Sequence, residues 1–173
     1  MTHRPRRATA QDAAAIAATH VASRRRAYAG LSTIEATALE RTRFWQARLE
    51  SPAGPASAVF IVEEAGLVLG FAACDRQRDA ALAAQGFAGE ITALYVLPDR
   101  HGQGIGRALL GACARRLLAH GMTGMALWVL QANAQARSFY LDTGAAEIAS
   151  RDSPQGLRQV AVGWRSILAL AAG

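Results

Sequence analysis

Apolar and polar positions along the chain change their period several times, and each change marks an element. Residues 5–8 read as a short first strand. Thr9, with Asp12 three residues on, has the form of a capping box, and a helix is expected from there to about Tyr28, stopping at Gly30. Ser32 with Glu35 repeats the capping signal, and Ile34, Leu39, Phe44, Trp45 and Leu49 then recur at loosely helical spacing. The proline- and glycine-rich run at 51–55 breaks the chain. Two β-rich runs, 58–63 and 67–74, flank the turn Glu64-Ala65-Gly66 and predict a hairpin. Residues 76–89 mix charge, alanine and glycine without a period. They predict a loop with one helical turn at most, placed to border a ligand site.

The central unit is clearer. Residues 91–97 form a strand that Pro98 ends, and a glycine-rich turn leads into a helix whose Ile105, Ala108, Leu109, Ala112, Cys113 and Leu117 share one buried face. Arg115 and Arg116 suit the negative end of that helix, and Gly121 stops it. A fifth strand follows at 126–130. Asn133 caps a short helix through Asp142, which Gly144 ends, and two last strands, 145–151 and 158–167, flank Ser153-Pro154-Gln155-Gly156. Hairpins at both ends around a strand–helix–strand unit predict a mixed sheet flanked by helices, in an order that periodicity leaves open.

Composition narrows the class. The chain has 173 residues, 51% hydrophobic and 18% charged, which predicts one globular domain over 1–173 with its core at about 4–168. All 19 basic residues are arginine, and the net charge of +6 suits an anionic ligand, a polyphosphate as well as nucleic acid. The dense run Arg24-Arg25-Arg26 lies in a helical pattern without interleaved aromatics and reads as a solvated face, so no nucleic-acid partner is expected. Cys74 and Cys113 lack metal or redox spacing and read as small buried hydrophobes, with a reduced cytoplasm as their setting. Polar residues at 11, 12, 19 and 20 interrupt the N-terminal apolar run before it could serve as a signal segment, and no stretch is long enough to cross a membrane.

The chemistry sits in the turn. Gly102, Gly104 and Gly106 let the backbone approach a ligand, and the unpaired N–H groups of the following helix carry partial positive charge, an arrangement made for phosphate. The dinucleotide pattern G-x-G-x-x-G fails, because its third glycine falls on Arg107 and no acidic residue follows at the required distance. A P-loop fails too, for want of any lysine.

Preceded by Leu94-Tyr95-Val96-Leu97-Pro98, the run His101-Gly102-Gln103-Gly104-Ile105-Gly106 resembles motif A of the GNAT superfamily of N-acetyltransferases, Q/R-x-x-G-x-G/A, with histidine departing at the first position. Downstream, Asn133-Ala-Gln-Ala136-Arg-Ser-Phe139-Tyr140-Leu-Asp-Thr-Gly144 resembles motif B, N-x-x-A-x-x-F-Y-x-x-x-G, at every named position. Residues 20–31 also resemble a segment common in bacterial members.

The resemblance implies an α/β fold with a mixed, mostly antiparallel sheet of six to seven strands and about four flanking helices. It implies acetyl-CoA as co-substrate and no metal. The pyrophosphate would lie on the backbone of His101, Gly102, Gln103, Gly104, Ile105, Gly106 and Arg107. The pantetheine arm would pair with the strand edge at Leu94, Tyr95 and Val96, and Asn133 would contact it. Tyr140 would stand beside the thioester sulfur as general acid, and Glu90 is the candidate general base for the attacking amine. The acceptor would be an amine of a small molecule or peptide, with direct transfer in a ternary complex in the cytoplasm, and many members are homodimers. Two readings from other classes stand beside it: a non-catalytic acyl-CoA-binding module of the same fold, and a nucleic-acid binder using the Arg24–Arg26 face.

Overall fold

The structure, a computed structural model, describes residues 3–27 and 37–173. The expected stop at Gly30, the pair Ser32–Glu35 and Ile34 lie outside them. Strand β1 (Arg6–Arg7) enters a short turn in which Asp12 accepts from the N–H and hydroxyl of Thr9 at 2.7 and 3.1 Å, so the predicted capping signal operates. Helix α1 (Ala13–Ala27) follows. Helix α2 (Ala38–Glu50) is capped by Thr37 and Glu40, a reciprocal pair that the sequence reading passed over. Of the apolar residues read as its stripe, Trp45 is buried and Leu49 packs beside the same core, but Leu39 and Phe44 are 60% and 51% exposed, because the helix packs chiefly on α1 and turns those two outward.

The hairpin forms as expected from β2 (Ala58–Glu64) and β3 (Leu67–Arg76). The loop region holds one short helix, α3 (Ala80–Ala84), capped by the Asp79 carboxylate. The central unit is β4 (Gly89–Val96) and α4 (Ile105–Leu118), and β5 (Met125–Leu130), α5 (Ala134–Asp142), β6 (Ala146–Asp152) and β7 (Arg158–Trp164) complete the sheet. The last strand ends three residues earlier than its pattern suggested. Leu168–Ala172 instead forms α6, which packs on α4 where Gly111 leaves room.

The seven strands lie in the order β1-β2-β3-β4-β5-β7-β6, all neighbours antiparallel except β4 and β5. This is the mixed, mostly antiparallel sheet that the resemblance implied. Helices α4 and α6 cover one face, burying Leu109, Leu110, Cys113, Leu117 and Leu170 against Leu69, Ile91, Met125 and Leu127. The other face carries two separate apolar cores. Ile16, Ala17 and Trp45 of α1 and α2 pack on Phe71 and Ala73, while Leu82 and Phe87 pack on Ala126 and Ala161. Cys74 on β3 and Cys113 on α4, distant in sequence, come together in the first core as hydrogen-bond partners, and that contact, with burial, pushes the Cys113 thiol well up.

Candidate active site

β4 and β5 are joined only where Gly89 meets Met125 and Glu90 meets Ala126. Beyond that point the two parallel strands part. A cleft of about 540 Å³ opens between them, walled by Ile91–Val96 on one side and Leu127–Val129 on the other, with the glycine turn and α5 at its mouth. Two parallel strands that separate leave unpaired backbone groups on facing edges, so a ligand can enter the sheet where a strand would have been.

The antiparallel ladder with β3 decides which groups face the gap. Leu97 donates to Leu69 at 2.8 Å, and hydrogen-bonded pairs alternate along such a ladder, so Tyr95 and Ala93 direct their N–H and C=O groups to β3. Leu94 and Val96 therefore present theirs to the cleft. The Val96 carbonyl already accepts from the Ser23 hydroxyl at 3.1 Å and from His101 Nε2 at 3.0 Å. The Tyr95 ring lies on the α1 side, 4.4 Å from the ring centre of His20 and stacked on Phe71.

At the turn, Gly102 and Gly104 have φ of 76° and 82°, a region closed to most side chains, and Gly104 caps α4 in that conformation. The first hydrogen bond of the helix runs from Ala108 to Gly104, which leaves the amides of Ile105, Gly106 and Arg107 without helical acceptors. No acidic residue lies in this first turn, so no carboxylate of the helix itself offsets its positive end. Gly106 lines the cleft and also serves packing: a Cβ there would meet the Phe139 ring at 3.1 Å, so it admits α5 against α4. Gln103 only reaches back to the Asp99 carbonyl at 3.5 Å, and Arg107 donates to the Asp142 carbonyl at 3.4 Å.

On the facing wall, Asn133 caps α5 by accepting from Ala136 at 3.1 Å and lines the cleft. Tyr140 lines it too, 6% exposed and edge-on to Phe139 and Trp164. The cleft thus gathers Leu94, Tyr95, Val96, His101, Gly102, Gly104, Ile105, Gly106, Arg107, Asn133 and Tyr140.

Glu90 is not among the residues that line the cleft. It sits at the last paired position before the strands part, its carboxylate clamped by Arg78, with Nε at 2.8 Å, Nη2 at 2.7 Å and the backbone N–H at 3.2 Å. Its register partner on β3 is Asp75, which pairs with Arg48 at 3.2 Å. Beside it on the β5 side, the Asp79 carboxylate accepts from Trp128 Nε1 at 3.1 Å and from Arg151 at 3.2 Å, and Arg151 lies 3.9 Å above the Trp128 ring. These ion pairs form a polar seam between the two apolar cores of that face. Ser23, Gln135 and Trp128 are cleft residues that sequence reasoning missed, and only an aromatic in a short strand marked Trp128 beforehand.

His20 packs among Trp45, Phe71 and Tyr95 and accepts from Trp45 Nε1 at 3.1 Å, and among the described residues its buried Nε2 has no partner. Burial, helped by Arg41 and Arg24, lowers its pKa to about 4. Among the described residues no group of three or more histidine, cysteine, aspartate or glutamate side chains could hold a metal ion, and no helix is long and apolar enough to cross a membrane.

Residues 22–145, which include the parted strands, the glycine turn and the capped helix α5, match the Acetyltransferase (GNAT) family. The chain belongs to that family. It is 36% identical over 115 residues to an uncharacterized N-acetyltransferase, YuaI, of Bacillus subtilis (strain 168), a match spanning 65% of this chain and 65% of that relative. Solved GNAT structures share its fold. A protein of Desulfovibrio desulfuricans assigned to these acetyltransferases superposes with a TM-score of 0.73 at 19% identity, over 94% of this chain and 98% of its own. The yncA protein of Salmonella typhimurium, solved with its cofactor acetyl-CoA, gives 0.68 at 20% identity, over 95% and 94%.

Proposed function

We propose that this chain, acting as a single domain, is an acetyltransferase that moves the acetyl group of acetyl-CoA directly to an amine in a ternary complex. The observation that carries the reading is the cleft itself: the open edge of β4, the amides without helical acceptors at the start of α4 and the side chain of Tyr140 all face one space. The fit to coenzyme A follows from the donor set. The amides of residues 102–107 suit a pyrophosphate, and the Leu94 N–H and C=O with the Val96 N–H suit the amide groups of a pantetheine arm entering as a strand. Asn133, at the start of α5, is placed to reach the same arm. Acetyl-CoA supplies the acetyl group as a thioester.

The remaining chemistry belongs to the chain. Tyr140 gives the proton that the departing thiol sulfur needs, which its burial in the cleft wall allows without competition from bulk water. The amine must lose a proton before it attacks, and Glu90, at the point where the strands part, takes it through a water because its carboxylate does not itself line the cleft. The site has no cysteine in its lining, in keeping with direct transfer.

Acetyl-CoA-dependent release of free thiol, measured against pools of amines, tests the reading. Tyr140→Phe should lower kcat by about 10²-fold while leaving the Kd for CoA within about threefold. An unchanged kcat would remove Tyr140 from the role of acid. No thiol release with any amine, together with tight CoA binding, would favour the non-catalytic acyl-CoA-binding alternative, for which the Arg78 clamp on Glu90 is the supporting observation.

A further inference from the structure

His101 stands where the family pattern has glutamine or arginine, and its side chain is engaged on both ring nitrogens. Nε2 lies 3.0 Å from the Val96 carbonyl and Nδ1 lies 3.1 Å from Gln135 Nε2. A carbonyl can only accept, so Nε2 carries the hydrogen and Nδ1 accepts from the Gln135 amide. One imidazole thereby joins three elements: the residue that opens the glycine turn, the open edge of β4 and the first turn of α5. The far end of α5 is tied to α4 as well, through Arg107 to Asp142 and through the Phe139 ring on Gly106.

We propose that His101 is a positioning residue, a strut that braces the phosphate-binding turn against β4 and α5 and so holds the turn in its bound arrangement before the cofactor arrives. The need for one is visible in the turn. Gly102 and Gly104 sit at positive φ with nothing among the described residues within 4 Å of where a Cβ would lie, so neither glycine gains side-chain packing, and between them only Gln103 reaches back, to the Asp99 carbonyl at 3.5 Å. A glycine-rich segment loses more conformational freedom on ordering than any other, and a site ordered in advance recovers that loss as affinity. The strut also takes the Val96 carbonyl, together with Ser23, out of the pairing surface. That leaves the Leu94 groups and the Val96 N–H as the strand edge offered to a ligand.

The inference rests on the coenzyme A reading, and the test separates the two. Calorimetric titration at fixed salt compares the wild type with His101→Ala, His101→Gln, Gln135→Ala and the double His101→Ala/Gln135→Ala, using CoA and, as a probe without the pyrophosphate, pantetheine. We expect His101→Ala to weaken CoA about tenfold and pantetheine less than twofold. Gln135→Ala should cost less, the double variant should lose no more than His101→Ala alone, and His101→Gln, whose amide can still donate to Val96, should recover most of the affinity. Equal losses for CoA and pantetheine would make His101 a general support of the fold, and an unchanged CoA affinity would remove the strut; either overturns the proposal. A wild-type chain that binds no CoA would overturn the coenzyme reading of the cleft, and the strut would then have no ligand to serve.

Discussion

Glu90 is buried, yet its charge is not stranded, because Arg78 meets it with two guanidinium nitrogens and a backbone N–H. The two partners differ in one respect that decides what a substitution does. The Arg78 side chain is 72% exposed and that of Glu90 only 10%, so Arg78 returns to water when its partner loses charge and Glu90→Gln should fold. If Glu90 accepts the amine's proton, this variant should turn over about 10²-fold more slowly near pH 7, with the deficit narrowing as pH approaches the pKa of the amine. A pH–rate profile identical to that of the wild type would assign proton removal to solvent and leave Glu90 as the anchor of Arg78. The residues of the two motifs were legible in the sequence because their tasks are local: a positive φ, a helix start, a cap. Gln135, Ser23 and Trp128 were not, since each matters only through a partner 34 to 73 positions away.

At the level of elements, local signals and packing sometimes disagree, and α4 gives a measurable case. Alanine is the better helix former by about 1 kcal/mol, so Gly111→Ala would stabilise α4 in isolation. In the fold, a Cβ at Gly111 would lie 2.8 Å from the Leu170 carbonyl oxygen of α6, a main-chain atom that cannot swing aside. The variant should therefore lose about 1–3 kcal/mol, read from its urea midpoint at constant slope. A gain in stability would mean that α6 yields without cost. The same contact explains why α6 was not foreseen: its five residues carry no capping signal, and they are helical because α4 gives their apolar side a surface. The β2–β3 hairpin was foreseen because its turn encodes itself, with Ala65 and Gly66 both at positive φ, 50° and 80°.

The whole molecule places a titratable group in an apolar layer, and this sets how stability depends on pH. His20 lies between α2 and the sheet with a pKa lowered to about 4 from the usual 6.5. Between those values the unfolded chain binds a proton that the folded chain refuses. The stability from this site is full above pH 6.5 and is lost progressively as pH falls toward 4, at about 1.4 kcal/mol per pH unit. Denaturant midpoints of the wild type should fall across that window, and those of His20→Gln, which can still accept from Trp45, should fall less. Parallel curves would place the titration elsewhere. The sequence by itself determined the parts whose causes lie within a few residues: the capped helices, the hairpin, the phosphate-type turn and the two motifs that carry the family. Tertiary structure decided what depends on strands and helices meeting from afar. It parted β4 and β5 after two register pairs, inserted β7 between β5 and β6, gathered the ion pairs of Glu90, Asp79 and Asp75 into a seam, and turned His101 from a variant motif position into a bridge between three elements. The physical reason is the same throughout: side-chain periodicity fixes which face of an element is apolar, but not which other element will cover it.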